Sequence, residues 1–101
     1  MNLGSIKQAM ELKSKLEQAQ KELSNTIVEA EAGKGTVRVI MDGQQKIKSV
    51  KISPEIITLG NSELLEKLVL KAVSDALAKS QKAAAKQLSG LTGGLKIPGL
   101  S

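Results

Sequence analysis

The chain has 101 residues, enough for one small domain, and contains no Cys, His, Trp, Tyr or Phe. That absence excludes disulfides, thiolate zinc sites, imidazole general bases, Ser-His-Asp and Cys-His nucleophiles, and aromatic platforms for stacked bases. Fifteen Lys and Arg against ten Asp and Glu leave a net charge of +5, which suits polyanionic partners such as nucleic acid or an anionic membrane surface, or serves solubility alone.

Residues 4–26 have the pattern of a helix, with Ser5 as its N-cap. Ala9, Leu16 and Leu23 repeat every seven residues with Leu12 and Ala19 between them, an a/d seam. Ile6 and Met10 widen the apolar surface, and Lys7, Ser14, Gln18 and Lys21 lie opposite. Ile27–Ala32 alternates as a strand, with Val28, Ala30 and Ala32 on one side. Gly33-Lys34-Gly35 is a turn. Thr36–Asp42 is the strongest strand, with Val37, Val39 and Met41 on one face and Arg38 and Ile40 on the other. Asp42-Gly43 is a hairpin signal. Gln45–Ser53 forms a third strand, basic through Lys46, Lys48 and Lys51, and Pro54 ends it.

Residues 54–60 are expected to be a loop. Asn61-Ser62 caps a second long helix, with Glu63 and Glu66 in its first turn. Leu65, Leu68, Val69, Ala72, Val73 and Ala76 form its apolar stripe, and Gly90 is the expected stop. The domain is thus expected to span residues 1–89, with a flexible tail over 90–101. Leu91, Leu95, Ile97 and Leu100 leave docking of that tail as the alternative. The fold class is α+β: α-β-β-β-α, a three-stranded antiparallel sheet between two long helices. A central strand apolar on both faces, in a core without aromatics, suggests a homodimer, with Val37, Val39, Ile40 and Met41 as its interface candidates.

No catalytic arrangement emerges. Gly33-Lys34-Gly35-Thr36 fails the phosphate-loop pattern, because Gly35 follows the lysine and Val28 stands where the first glycine belongs. Glu29 with Glu31 is a solvated strand pair, and Glu63 with Glu66 suits a helix start; neither gathers a third ligand. Neighbouring Lys and Ser, such as Lys71 with Ser74, are what a helix rich in both produces by chance. We expect no enzyme, metal, cofactor or small-molecule substrate. No stretch approaches the roughly 20 apolar residues of a membrane span, and Met1–Lys7 lacks the apolar run of a signal peptide. The expected setting is the cytoplasm, with no membrane partner.

Basic residues carry the better signal. Lys79, Lys82 and Lys86 share a helix face beyond the apolar stripe, and from Lys79 to Ser101 there is no acid. This reads as a helix that packs at its start and projects at its end, presenting ammonium groups to phosphates.

At this point the chain resembles the YbaB/EbfC family of bacterial nucleoid-associated proteins. The resemblance rests on Gly35-Thr36-Val37-Arg38-Val39 leading to Asp42-Gly43, on Val50-Lys51-Ile52-Ser53-Pro54-Glu55, and on Leu65–Val69 with Ala72-Val73-Ser74-Asp75-Ala76. The ending Ile97-Pro98-Gly99-Leu100 is also similar. Ser53 and Ser74 replace the family's usual Asp and Asn, keeping small polar residues. The resemblance implies a tweezer-like homodimer that binds double-stranded DNA in the bacterial nucleoid, with possible effects on gene expression. The DNA-contact candidates are Lys7, Lys21, Lys79, Lys82 and Lys86. The alternative is a protein-interaction module, a small chaperone or adaptor, using the helical seam and the Leu-rich tail.

Overall fold

A computed structural model describes residues 3–92, and of Leu3, Leu91 and Thr92 only the backbone. The order is α1 (Leu3–Asn25), β1 (Ile27–Ala32), β2 (Val37–Asp42), β3 (Ile47–Ile52), α2 (Pro54–Leu59) and α3 (Ser62–Thr92). The strands form one antiparallel sheet in the order β1-β2-β3, with Ala30 opposite Val39 and Val39 opposite Val50. This is the expected helix–meander–helix plan with one addition, α2.

The sequence read α2 as a loop, but both its ends carry helix signals. Pro54 occupies the first turn, where a missing N–H costs nothing, and Gly60 closes the helix at φ 68°, its N–H donating to the Ile57 carbonyl. Other limits shift too. Leu3 already belongs to α1, so Ser5 lies inside that helix rather than capping it. Asn61 does cap α3, its Oδ1 accepting from the Leu64 N–H at 3.1 Å. Gly90 does not end α3: it keeps a right-handed φ, and the helix runs to Thr92. The tail expected from residue 90 can therefore begin only after Thr92, and residues 93–101 lie outside those described.

The core sits between one face of the sheet and α3. Val28, Ala30, Ala32, Val37, Val39 and Met41 point to that face, and Ala72 and Ala76 of α3 are buried on it. The small α3 residues let helix and sheet approach closely. Val37 and Val39 have no exposed surface, and burial of each stabilises the fold by about 1.5–3 kcal/mol. This corrects the interface assignment of Val37, Val39 and Met41: they fill the chain's own core. Of the four candidates, only Ile40 lies on the opposite, open face.

A helix about 10 Å wide spans two strands spaced about 4.8 Å apart, not three. Accordingly α3 lies over β1 and β2 and scarcely touches β3. On β3, Ile47 and Val50 project to the core side of the sheet by register, yet stay 51% and 44% exposed.

The β2–β3 turn fastens the sheet to the end of α1. The Gly43 N–H donates to the carbonyls of Leu23 and Thr26, each at 2.9 Å. Asp42, buried beside it, accepts through Oδ1 from the N–H groups of Gln44 and Lys46 at 2.8 and 3.0 Å. The Lys46 N–H does most to hold the Asp42 carboxyl below the usual carboxylate range, against the opposing effect of burial; Gln44 and Lys48 add to the lowering. The buried Ser80 hydroxyl of α3 donates to the Asp42 carbonyl at 2.7 Å. This hydrogen-bond network thus joins α1, the hairpin and α3.

A Cβ on Gly43 would meet the Leu23 carbonyl oxygen at 2.8 Å. Gly43→Ala should therefore cost about 1–3 kcal/mol, a fall in melting temperature of roughly 5–20 °C. Gly90→Ala, with open space around its Cβ inside a helix, should instead raise stability by about 0.5–1 kcal/mol. Thermal melts of the two variants check the opposite signs.

Candidate nucleic-acid interface

The molecule is elongated, 67 × 24 × 17 Å, and its free arm is not the one expected. The second half of α3 is paired with the end of α1: Ala19 and Leu23 are buried, and Ala83, Ala84 and Gln87 half-buried. The Gln87 amide donates to the Glu22 carboxylate. It is α1 that projects, since every residue from Gly4 to Gln18 is exposed. The reading of α3 as a helix free at its end fails because the seam of α1 supplies the partner that a single-helix pattern cannot show.

The candidate lysines are all exposed, but they are not equivalent. Lys79 is engaged: its Nζ donates to the Glu29 carbonyl at 2.7 Å. Glu29 lies on β1, an edge strand with unpaired backbone groups, so Lys79 satisfies one of them and blunts that edge. Lys82 and Lys86 remain on the same α3 face. Lys86 lines an open cleft of about 590 Å³ together with Lys15, Gln18, Ala19, Glu22, Gln87 and Gly90. Lys15 was missed by the sequence reading. Its signal lay in combining the two helices: antiparallel pairing of the seams brings position 15 beside position 90. Lys7 stands far out on the α1 arm and Lys21 near its base; neither shares this cleft.

The open sheet face is electrostatically mixed. Arg38 lies 3.7 Å from Glu29 and 3.6 Å from Glu31, and Lys48 pairs with Asp42 at 3.5 Å. The lone arginine is therefore committed to two carboxylates, and the basic run of β3 is partly neutralised. Positive charge outside these pairs lies both on the helices, where Lys7, Lys21, Lys82 and Lys86 are exposed, and on β3, where Lys51 is exposed. Among the described residues, no group of three or more His, Cys, Asp or Glu could hold a metal ion, and no helix is long and apolar enough to cross a membrane.

The family model for the YbaB/EbfC DNA-binding family matches residues 1–95. The chain belongs to that family. Its relatives include a nucleoid-associated protein of Desulforamulus reducens, 43% identical over 95 residues, or 94% of this chain and 90% of that one. Another, from Myxococcus xanthus, is 41% identical over 96 residues, 95% of this chain and 91% of its own length. A third, from Thermoanaerobacter pseudethanolicus, is 39% identical over 95 residues, covering 94% and 86%. The crystal structure of an uncharacterized protein from Helicobacter pylori, HP0035, superposes with a TM-score of 0.70 at 19% identity, covering 94% of this chain and 97% of that one. That likeness extends the YbaB/EbfC fold reading to a solved structure and goes no further than the fold. A nucleoid-associated, DNA-binding family is not typically enzymatic, in keeping with a surface whose chemistry is charge.

Proposed function

We propose that this YbaB/EbfC chain binds double-stranded DNA as a homodimer in the bacterial nucleoid, in the cytoplasm, through lysines on its two long helices. The observation that carries the reading is the juxtaposition of Lys15 and Lys86 across the α1–α3 cleft, with Lys82 one turn away on α3. Ammonium groups on two rigid helices can follow a phosphate backbone. They carry no base information, so sequence preference should be slight. The residue type best suited to guanine edges is present once, as Arg38, and is held by Glu29 and Glu31.

The homodimer would close over the part of the sheet that α3 leaves bare. Ile47 and Val50, about half exposed beside an otherwise buried face, are the interface residues of this reading, in place of Val37, Val39 and Met41. A second copy turned about a two-fold axis would cover them with the same patch and set the spacing between two pairs of basic helices.

A duplex-DNA shift assay across a salt series tests the reading. Log affinity should fall linearly with log salt, by about 0.9 for each phosphate neutralised, for unrelated duplexes alike. Affinity insensitive to salt would reject phosphate binding and favour the alternative of an apolar protein-interaction module.

A further inference from the structure

The projecting arm of α1 is apolar along one stripe. Ser5, Ala9, Leu12 and Leu16 follow one another alternately four and three residues apart, the d, a, d and a positions of the seam. All four are exposed, Leu12 and Leu16 at 40% and 38%. Beside them Ser5, Gln8, Ala9, Glu11, Leu12 and Lys15 line an open groove of about 500 Å³. The next two seam positions, Ala19 and Leu23, are buried, and α3 is the helix that packs there. Glu22 meets Gln87 while Lys15 lies at the level of Gly90, so α1 and α3 run antiparallel. Half of one seam is thus used in an antiparallel helix pair, and half is bare.

We propose that the bare half of α1 pairs antiparallel with the bare half of α1 from a second copy of this chain. The order of side-chain sizes selects that occupant. A two-fold axis between Met10 and Glu11 sets Ser5 opposite Leu16 of the second copy and Ala9 opposite its Leu12. Every layer then joins a small residue to a large one, so facing side chains interdigitate. A parallel pair would set Ser5 on Ser5 and Ala9 on Ala9, leaving voids that two leucine layers hold open. Charge agrees with size. Gln8 faces Lys15 of the second copy, the aliphatic stem of Lys13 lies beside its Ile6, and no like charges stand directly opposite. Lys7 and Lys21 lie on the far side of α1 and stay free, so the pairing is independent of the DNA reading. Its strip, about 20 Å long and 10 Å wide, falls well short of the roughly 1,200 Å² that a stable interface buries. The contact is therefore weak alone, and covalent trapping is the means to detect it.

The absence of cysteine makes the trap clean. Ser5→Cys and Leu16→Cys chains are mixed in equal amounts without DNA, oxidised, and the dimers weighed by mass spectrometry. In the antiparallel pair the two different positions meet. Two copies of position 5, or of position 16, lie about 16 Å apart along the axis, beyond disulfide reach. The mixed disulfide should therefore exceed the two same-position products together by about fivefold or more. Leu12→Glu placed in both chains should remove that excess, while amide protection at Ala30 and Val39 stays unchanged. Lys7→Cys mixed with Ser14→Cys, on the far side of the same helix, should give no excess. A statistical mixture of the three products would overturn the proposal as random encounter. A majority of same-position products would overturn it in favour of a parallel pair. An excess that survives Leu12→Glu, or that the far-side pair matches, would overturn it by showing that the stripe makes no contact.

Discussion

Changing Lys15, Lys82 and Lys86 together to Gln will flatten the salt dependence of DNA binding and weaken binding at low salt by well over tenfold. Each lost phosphate contact removes about 0.9 from the slope of log affinity against log salt, so three contacts per protomer, six per dimer, amount to about 5.4. The loss should be equal for unrelated duplexes, because phosphates carry no sequence. Folding should survive: all three side chains are exposed, and Gln has nearly the helix propensity of Lys. Lys79→Gln is the internal comparison. Its Nζ is held by the Glu29 carbonyl, so that change should leave the salt slope alone. Lys46, Lys48 and Lys51 changed to Gln form the second comparison, on the mixed-charge sheet. If the sheet variant loses the slope and the helix variant keeps it, the helices are not the DNA surface.

Val39→Asp and Val50→Asp should separate the core from the dimer surface, although the two valines face each other across β2 and β3. Val39 is fully buried beneath α3, where an unpaired carboxylate costs about 4 kcal/mol or more, a large part of a small domain's stability. The Val39 variant should therefore lose its helical circular dichroism at room temperature or melt far below the parent. Val50 is 44% exposed in the single chain, so its Asp variant should stay folded. In a dimer that covers Val50, one unpaired charge at the interface costs about 3–5 kcal/mol, a rise of two to three orders of magnitude in dimer dissociation constant. Sedimentation should find the Val50 variant a folded monomer at concentrations where the parent is dimeric. A Val50 variant as dimeric as the parent would place the interface elsewhere.

Much of this molecule is local in origin and therefore legible in the sequence. Strict alternation set the faces of β1 and β2, because side chains in a strand must alternate. Asp42-Gly43 marked the hairpin through its turn chemistry, and Asn61 capped α3 as a short acceptor before an apolar run. The charge imbalance and the missing aromatics, cysteines and histidines restricted the chemistry to electrostatics before any fold was known. The ordered motifs from Gly35 to Ala76 carried the family. Short elements were less legible: six residues of α2 hold too little periodicity to register, although Pro54 and Gly60 mark its ends.

What the tertiary structure alone decided was which apolar and basic residues remain available. Val39 and Ile40 look alike in sequence, but α3 lies on the side of Val39 and leaves Ile40 on the open face. α3 is one helix wide, so Val50 stays half exposed where Val39 is sealed. Lys79 and Lys82 share a helix face, yet only Lys79 meets the free edge of β1 and is spent there. Lys15 joined the basic cleft because the seams of α1 and α3 pair over many intervening residues. Hydropathy and charge are properties of single residues, readable in order along the chain. Coverage is a property of pairs distant in the chain, set by helix width, strand spacing and packing partner, and only the assembled fold contains it.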